Sequence, residues 1–346
     1  MTQGEETMKA AVFRGAGRIE VVKVPVPEVG PDEVLVQVHY CGICGSDLEA
    51  YHTGMYEPGL IIGHEFAGEV VAIGERVEGW AAGDRVTVNN VIPCGQCGFC
   101  RREQATLCEN LLTPGITLNG GMAEYAVLPE RALHALPESI STRHGALVEP
   151  LAVAVHGVQR SALRPGERAL VMGAGPIGLL TIQCALVAGA RAVYVSEVDP
   201  GRADLALQLG ASAVFDPATH NLAVELMART EGEGPSVVYV CTGAAAALEE
   251  AVTLVCKGGQ ILVLGLGVEP LAADFLTVVL HELDIKGSYL GYEEFPVALQ
   301  YLAQGRVNVE KLITHEIALD DVVAQGFQIL EEAGGGAVKV LVKVFT

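Results

Sequence analysis

Basic residues are scarce in this sequence. The chain of 346 residues carries 22 Lys and Arg against 42 Asp and Glu, so its formal net charge is −20 at pH 7 and its sequence pI is about 4.8. Such an acidic surface repels the phosphates of nucleic acids and the head groups of anionic membranes. We therefore expect neither nucleic acid nor membrane as a partner.

The sequence also lacks a secretion signal, an internal repeat and an even disulfide framework. Its start, MTQGEETMKA, has neither the basic nor the apolar region of a signal peptide. The uncharged stretch 169–190 is interrupted by glycines and a proline, which is typical of a strand, a turn and a helix rather than of a membrane helix. Nine cysteines are an odd number and suit a reducing compartment. We expect a cytoplasmic protein.

Four of these cysteines, Cys94, Cys97, Cys100 and Cys108, form a compact CxxCxxCx7C run. Four thiolates fill every position around one tetrahedral Zn²⁺, so the run predicts a closed, structural zinc site in a lobe at 94–108. A redox thiol group and an iron–sulfur cluster use overlapping spacings and stay as alternatives. A closed site leaves no position for a substrate, so the chemistry must lie elsewhere.

The first part of the chain, up to about residue 149, has the pattern of an irregular β domain. Short apolar strands such as 33–38, 66–73 and 85–88 are separated by Gly, Pro and Asp turns. The length of the chain leaves room for a second domain with its own core.

From about residue 165, strands alternate with helices. Six strands are predicted at 169–172, 192–196, 213–215, 237–240, 260–264 and 284–286. This alternation is typical of a doubly wound parallel sheet, so the predicted fold class is α/β. A helix at 296–304 then leads to an apolar strand at 338–344, which we expect to rejoin the first domain.

A glycine motif marks the first turn of this sheet. Gly173, Gly175 and Gly178 form GAGPIG between a predicted strand and a helix, where backbone amides and the helix dipole can hold a pyrophosphate. Glu197 ends the next strand, where a carboxylate binds the adenosine ribose diol and repels a 2′-phosphate, which favours NAD over NADP. Arg202 weakens this preference for NAD, since an arginine near the end of this strand can bind the 2′-phosphate of NADP. The alternative is a glycine-rich turn that binds nothing.

A second, dispersed set of metal-binding residue types is present. Its members are Cys44 in CGICGSD, His64 and Glu65 in GHE, and Glu149 in VEPLAVAVH. Three protein ligands and one exchangeable position let Zn²⁺ bind an alcohol oxygen and act as a Lewis acid. Taken singly each residue is ambiguous, because a lone cysteine is usually a buried apolar residue and a glutamate before proline often starts a helix.

The order of these motifs resolves the ambiguity, because the chain resembles the zinc-containing medium-chain dehydrogenase/reductases from Met8 to Thr346. The matching motifs are GICGSD at 42–47, GHE at 63–65, GDRV at 83–86, the four-cysteine lobe, EPLAVAVH at 149–156 and GAGPIG at 173–178. The resemblance implies a GroES-like catalytic domain at 1–149, a Rossmann NAD-binding domain at 150–294 and a return to the catalytic domain at 295–346. It also implies two zinc ions per chain, one catalytic and one structural.

Glu149 is similar to its counterpart in the sorbitol/xylitol and 2,3-butanediol dehydrogenase branch, where other alcohol dehydrogenases have a cysteine. This similarity implies hydride transfer from a secondary alcohol, a polyol or vicinal diol, to NAD. By the same resemblance Cys44 and His64 bind the catalytic zinc. Glu65 and Glu149 are the carboxylates that either bind the zinc directly, hold its water molecule or exchange with each other as ligands during turnover. Ser46 resembles the hydroxyl that takes the alcohol proton.

The resemblance implies further cofactor contacts and an assembly. The additional cofactor-binding positions are Ile177, Arg202, Thr242, Leu264 and Leu266. A homotetramer or homodimer is implied as well.

Two departures from the branch pattern affect the expectations. After GSD an apolar residue is usually followed by histidine, but here Glu49 stands in that place, so the proton relay is altered; His52 is a possible substitute, and an exposed histidine is the simpler interpretation. Polyol dehydrogenases tend to have an Arg-Tyr pair before the proline of GSYLGYEEFPVAL, where this chain has Tyr292, Glu293 and Glu294. This difference weakens the assignment of sorbitol as the substrate and leaves short diols, other polyols and cyclitols as candidates.

Two other functions stay as alternatives. L-Threonine 3-dehydrogenase shares the zinc ligands and the glycine motif, but that branch commonly has Asp-Pro-Phe where this chain has Glu149, Pro150 and Leu151. A non-catalytic dinucleotide sensor on the same fold is the alternative from another class.

Overall fold

The computed structural model describes residues 6–267, 274–331 and 336–345. The other residues, which include both ends of the chain and therefore the outer ends of the predicted segments 1–149 and 295–346, lie outside this described part. The strands are β1 Thr7–Gly15, β2 Arg18–Pro25, β3 Glu33–Gly42, β4 Glu65–Ile73, β5 Arg85–Val88, β6 Tyr125–Pro129, β7 Leu133–Ala135, β8 Arg168–Met172, β9 Ala192–Ser196, β10 Ala213–Phe215, β11 Val237–Val240, β12 Gln260–Val263, β13 Asp284–Gly287, β14 Ile313–Ala318 and β15 Lys339–Lys343.

The α-helices occur in both parts of the chain. They are α1 Gly45–Thr53, α2 Thr142–Gly145, α3 Val148–Arg160, α4 Pro176–Val187, α5 Pro200–Gln208, α6 Leu222–Arg229, α7 Ala245–Leu254, α8 Phe275–Leu280, α9 Phe295–Ala303 and α10 Gln328–Glu331. A π-helical stretch at Val322–Phe327 leads into α10.

Strands β8 to β13 form one parallel sheet of six strands in the order β10-β9-β8-β11-β12-β13. The central strand β11, VVYV, is buried along its whole length, as expected for a strand covered by helices on both faces. The strand order reverses between β8 and β11, so a crevice opens there at the carboxyl ends of the strands. The predicted doubly wound sheet is confirmed.

The other strands form a mostly antiparallel sheet in the order β14-β15-β3-β4-β5-β7, with β6 paired to β3. The late strand β15 pairs with β3 through Leu341 and Gly42, so Lys339–Lys343 belongs to the same sheet as the early strands. Strands β1 and β2 form a separate hairpin.

Helix α3 lies between the two sheets. Its residue Gly157 faces Leu264, which follows β12, so closely that a Cβ at Gly157 would lie 2.5 Å from the leucine side chain. Toward its start, Leu147 and Leu151 belong to the same core cluster as Ala67 of β4. Because α3 contacts both sheets, it fixes Glu149 at the boundary between them.

Candidate active site

The four-cysteine run folds into a tight cluster. The sulfur atoms of Cys94, Cys97, Cys100 and Cys108 all lie within 4.8 Å of one another, and those of Cys97 and Cys100 are 3.5 Å apart. Four sulfurs at about 2.3 Å from one tetrahedral Zn²⁺ are separated by roughly 3.8 Å. A hydrogen bond from the Cys100 amide lowers the pKa of the Cys97 thiol to about 6, which favours the thiolate that a metal needs. The donor set fits a structural zinc ion.

A second cluster brings together Cys44, His64 and Glu65, whose ligand atoms also lie within 4.8 Å of one another. Cys44 is the residue before α1, and the other two lie where β4 begins. The entry into β4 requires glycine, because Gly63 has φ +92° and a Cβ there would lie 2.6 Å from the sulfur of Cys41. The local backbone thus places a thiol, an imidazole and a carboxylate side by side.

Asp47 orients two members of this cluster. Its Oδ2 accepts a hydrogen bond from the Cys44 amide at 3.0 Å, and its Oδ1 lies 3.6 Å from His64 Nδ1. Burial opposes the charged imidazole, but Asp47 and Cys44 outweigh this effect and raise the pKa of His64. Surroundings that favour a proton here also favour a metal cation, and a carboxylate facing Nδ1 directs Nε2 to the metal.

Glu65 forms a buried ion pair with Lys339 of β15. The lysine Nζ lies 2.8 and 2.6 Å from the two carboxylate oxygens and donates a further bond of 3.1 Å to the carbonyl of Ile43. Gly42 makes room for this carboxylate, since a Cβ there would lie 2.1 Å from Glu65 Oε2. Glu65 is therefore next to the metal ligands and charge-compensated by the protein at the same time.

Glu149 lies beside the cluster, outside the group of three. It is buried, and its Oε1 accepts a hydrogen bond of 2.8 Å from Asn90 Nδ2. Burial raises the pKa of Glu149 to about 7, against the opposing charge of His64. The two candidate carboxylates thus differ, since Glu65 is held by a cation and Glu149 by an amide.

The two residues considered for the proton relay lie at opposite ends of α1. Ser46 is half-buried in the first turn, two residues after Cys44. His52 is exposed near the other end, and its Nε2 lies 3.0 Å from Glu331. Ser46 therefore lies at the end of α1 that begins beside Cys44, whereas His52 is a surface residue.

The glycine motif has the geometry of a pyrophosphate site. Gly173 has φ +91°, and a Cβ at Gly178 would lie 1.9 Å from the Gly173 carbonyl, whereas the space beside Gly175 is open. Helix α4 begins after Gly175 without a side-chain cap, so its first amides are available to an anion.

Glu197 and Arg202 follow β9, and the side chains of both form hydrogen bonds with backbone groups. Glu197 is buried and accepts backbone hydrogen bonds from Ala174 at 2.5 Å and from Val198 and Asp199 at 2.9 Å. Arg202 donates through Nη2 to the carbonyl of Ala337 at 2.9 Å. The carboxylate therefore lies against the glycine motif, while the guanidinium is turned toward the last segment of the chain.

The remaining predicted cofactor residues occupy different settings. Thr242 lies over the glycine motif, within 3.1 Å of a Cβ built at Gly173. Ile177 packs against the core, and Leu264 is buried against α3. Leu266 is 70 % exposed. The structure thus brings Thr242 to the glycine motif and gives Leu264 a packing role.

The segment with the unusual residues Tyr292, Glu293 and Glu294 forms hydrogen bonds with α3 and with the residue that follows β5. Glu294 accepts hydrogen bonds from the Tyr292 amide at 2.9 Å and contacts His156 of α3 at 2.8 Å. Asn89 donates to the Tyr292 carbonyl at 3.1 Å. The backbone of Tyr292 is therefore held from both sides.

Three residues around the cluster were missed by the sequence analysis: Asp47, Asn90 and Lys339. Asp47 had a signal, since it closes the GICGSD motif. Lys339 also had one, because it interrupts the apolar run AVKVLV, whose period indicates a buried strand. Asn90 had none, since nothing in VNNVIP distinguishes a buried amide from a turn residue.

A glycine motif after the first strand of a doubly wound sheet, together with two metal-binding clusters in the adjoining sheet, defines a metal-dependent dinucleotide oxidoreductase. The sequence matches two family models, "Alcohol dehydrogenase GroES-like domain" at residues 30–138 and "Zinc-binding dehydrogenase" at residues 176–304. The chain belongs to the zinc-containing medium-chain alcohol dehydrogenases. It is an enzyme of this family, and both the predicted GroES-like sheet and the Rossmann sheet are confirmed.

Relatives in this family carry several substrate names. The chain is 32 % identical over 341 residues to sorbitol dehydrogenase of Bacillus subtilis (strain 168), covering 94 % of this chain and 96 % of that protein. It is 36 % identical over 333 residues to L-threonine 3-dehydrogenase of Pyrococcus horikoshii, covering 94 % and 95 %. The crystal structure of 2R,3R-butanediol dehydrogenase from Bacillus subtilis superposes with a TM-score of 0.91 at 34 % identity, covering 98 % and 100 %. These similarities leave the substrate open.

Across residues 6–267, 274–331 and 336–345, no helix has the length and apolar composition that crossing a membrane requires.

Proposed function

We propose that the protein is an NAD-linked zinc dehydrogenase that oxidises a secondary alcohol, a polyol or vicinal diol, to the ketone. The cluster of Cys44, His64 and Glu65, with Glu149 beside it, is the observation that carries the proposal. Cys44 and His64 supply the thiolate and imidazole that zinc prefers, and a buried carboxylate completes the set. Bound there, zinc supplies Lewis-acid activation of a hydroxyl group.

The protein's own residues then divide the remaining work. The Asp47 carboxylate faces His64 Nδ1 at 3.6 Å, and Lys339 holds the Glu65 carboxylate in place. Ser46 accepts the proton of the substrate hydroxyl and passes it toward solvent, since it is half-buried beside Cys44. The glycine motif at the carboxyl edge of the parallel sheet would hold the dinucleotide, whose nicotinamide would supply the hydride acceptor.

The charges around the cluster favour a neutral substrate over an amino acid. Within the described part of the chain, Lys339 is the buried cation of this site, and it already pairs with Glu65. Zinc bound at the cluster would be the other cation, and the Cys44 thiolate and a carboxylate would offset its charge. A substrate carboxylate would therefore face Glu65 and Glu149 in a site whose cations are already paired, which costs free energy. This disfavours threonine relative to a polyol or diol.

The ribose pocket supports NAD over NADP. Glu197 already accepts three backbone hydrogen bonds, and a carboxylate has about four acceptor positions, so one remains for a ribose hydroxyl. A 2′-phosphate would meet this negative charge, while Arg202 is bonded to Ala337 instead.

Replacing Glu197 by serine should reduce the preference for NAD over NADP. A wild-type protein that prefers NADP would contradict the argument.

One substrate panel tests the function. Reduction of NAD⁺ and NADP⁺ is measured with the zinc-replete protein and 2,3-butanediol stereoisomers, sorbitol, xylitol, inositol, threonine and simple alcohols. Selective turnover of diols or polyols with NAD⁺ is expected. Turnover of threonine alone would establish the alternative dehydrogenase, and binding of NAD without turnover of any substrate would favour the sensor.

Two cysteine variants separate the proposed metal sites. Cys44→Ser should abolish turnover while the protein keeps its fold, because it removes a ligand of the catalytic zinc. Cys97→Ser should mainly lower the melting temperature, because it opens the structural lobe. Zinc content by elemental analysis should fall by one ion per chain in each variant. Full activity in Cys44→Ser would refute the site.

We also propose that two copies of the chain associate through the outer edge of the parallel sheet, as a homodimer or as part of a homotetramer. Strand β13 is the last strand of the sheet, and all its residues are exposed. Beside it, α8 exposes a cluster of large apolar side chains: Phe275, Leu276, Val279 and Leu280. An unpaired strand edge next to an apolar patch suits pairing with a second copy.

The free cysteines support a reducing, cytoplasmic location.

A further inference from the structure

Two consecutive asparagines, Asn89 and Asn90, follow β5 and are buried in different ways. Asn89 is satisfied at both ends of its amide, since its Oδ1 accepts from the Val91 amide at 3.0 Å and its Nδ2 donates to the Tyr292 carbonyl at 3.1 Å. Asn90 is 0 % exposed, and its Nδ2 donates to Glu149. Its Oδ1, however, has no hydrogen-bond partner in the protein.

An unpaired buried acceptor is unusual enough to need a reason. Among the residues that the structure describes, three buried side-chain atoms lack a partner, and they are His64 Nδ1, Asn90 Oδ1 and Ser288 Oγ. His64 belongs to the metal cluster, and Ser288 directly follows β13 at the carboxyl edge of the parallel sheet. Buried polar atoms are normally paired, so an unpaired one calls for a partner such as a bound ligand, a water molecule or an ion.

Asn90 cannot relieve the unpaired oxygen by turning its amide over. The carboxylate of Glu149 accepts hydrogen bonds, so Nδ2 must face it, and a turned amide would put two oxygens together. The nitrogen and oxygen of one amide are about 2.3 Å apart. With the 2.8 Å bond to Glu149, Asn90 Oδ1 therefore lies within about 5 Å of the Glu149 carboxylate. The oxygen is a fixed acceptor at the edge of the metal cluster.

We propose that Asn90 Oδ1 accepts a hydrogen bond from a second hydroxyl of the substrate, on the carbon next to the one that is oxidised. This inference rests on the proposed function and deepens it, since it assigns a residue that distinguishes a vicinal diol or polyol from a simple alcohol. Through Nδ2, Asn90 also positions Glu149. A hydroxyl is the matching chemistry because it donates one hydrogen bond and carries no charge into a site that already holds two carboxylates.

The test compares two substrates in matched variants. The best diol of the panel is paired with its deoxy analogue, in which the neighbouring hydroxyl is replaced by hydrogen, for example 2,3-butanediol with 2-butanol. Asn90→Leu keeps the side-chain size and removes both polar atoms, and it should lower the ratio of the two kcat/KM values about tenfold. Asn89→Leu removes the same polar atoms at the neighbouring buried position and should leave the ratio within about twofold.

A third variant separates the two roles of Asn90. Asn90→Asp keeps an acceptor oxygen but loses the donor to Glu149, so it should keep the preference for the diol while kcat falls for both substrates. It also serves where Asn90→Leu does not fold, which melting curves, zinc content and NAD binding reveal. In that event the smaller variant Asn90→Ala, which also lacks the acceptor oxygen, is compared with Asn90→Asp. A lowered ratio in Asn90→Ala with a preserved ratio in Asn90→Asp supports the inference, and equal ratios in the two variants overturn it.

The inference and the proposed function fail in different ways. An unchanged ratio in a folded Asn90→Leu, with diols still oxidised, would overturn the role of Asn90 alone, since a residue that merely packs affects both substrates equally. A wild type that oxidises no diol or polyol would refute the proposed function, and the role of Asn90 with it.

Discussion

Lys339 is a charged residue in a place where charges are rarely found. Its side chain and that of Glu65 are each only 2 % exposed. Burial acts to lower the pKa of Lys339, but the charge of Glu65 outweighs this effect and raises it. The two side chains form a buried ion pair, and each depends on the other to remain buried.

Removing one partner of this pair should destabilise the protein more than removing both. Lys339→Met leaves the Glu65 charge buried without compensation, which should cost about 3–5 kcal/mol of unfolding free energy. The double variant Lys339→Met with Glu65→Gln removes both charges and should recover most of that loss. Guanidinium unfolding of the single and double variants measures the coupling. Additive effects would show that the two charges do not interact.

Glu294 gives a stability effect that depends on pH. Burial acts to raise its pKa, but the hydrogen bond and charge of His156 outweigh it, so the pKa of Glu294 is lowered. Because the folded value lies below the ordinary one, the carboxylate contributes stability above its ordinary pKa and loses it as the pH falls through the lowered value.

The variant Glu294→Gln should therefore be less stable than the wild type near neutral pH. The difference should shrink as the solution is acidified below the ordinary carboxyl pKa of about 4.3. Thermal unfolding of both proteins between neutral and acidic pH provides the measurement. A difference that stays constant with pH would mean that the charge of Glu294 contributes nothing to stability.

At the scale of elements, the three glycines after β8 have separate tasks. A Cβ at Gly178 would collide with the Gly173 carbonyl at 1.9 Å, while nothing lies within 4 Å of a Cβ at Gly175. Gly175 also has an ordinary φ of −68°. The protein alone thus tolerates a side chain at Gly175, and only a bound pyrophosphate would oppose one.

Two alanine variants follow from this contrast. Gly178→Ala should lower stability, because helix α4 must move away from β8. Gly175→Ala should fold normally but weaken NAD binding by about tenfold or more, since the methyl group enters the space of the pyrophosphate. Melting temperature and NAD titration by fluorescence separate the two effects. Unchanged NAD affinity in Gly175→Ala would place the pyrophosphate elsewhere.

The parallel sheet could be predicted closely because its signals are local. All six of its strands begin and end within one residue of the predicted bounds. Continuous apolar runs between glycine turns are sufficient to define a buried strand. Strands β1, β2, β6, β7 and β14 were missed, because half-exposed strands take much of their stability from cross-strand neighbours.

The candidate site was only partly accessible from the sequence. Cys44, His64, Glu65 and the four cysteines of the lobe were found through motif and resemblance, and each group comes together in space. Lys339 lies 274 positions from its partner Glu65, and no local pattern encodes such a pairing. The same holds for Asn90, whose contact with Glu149 depends on how α3 packs between the sheets.

At the scale of the whole molecule, the exposed edge of the parallel sheet makes assembly testable. Phe275 and Val279 of α8 are each 71 % exposed. Val279→Glu should shift the protein toward the monomer in sedimentation velocity, because a charge buried at an interface without a partner is costly. Val224→Glu is the matched control, since Val224 is a 62 % exposed valine of α6. Equal sedimentation of both variants and the wild type would exclude this interface.

The contact between Lys339 and Glu65 also bears on biosynthesis. The ribosome delivers Cys44, His64 and Glu65 early, and the whole of the parallel sheet follows before Lys339 appears. Domains tend to fold as they emerge, with N-terminal parts first. A nascent chain can therefore complete its dinucleotide-binding sheet while the strand that closes the metal cluster is still untranslated. A chain interrupted before Lys339 would lack the cation that pairs with Glu65, so its metal cluster would be unfinished.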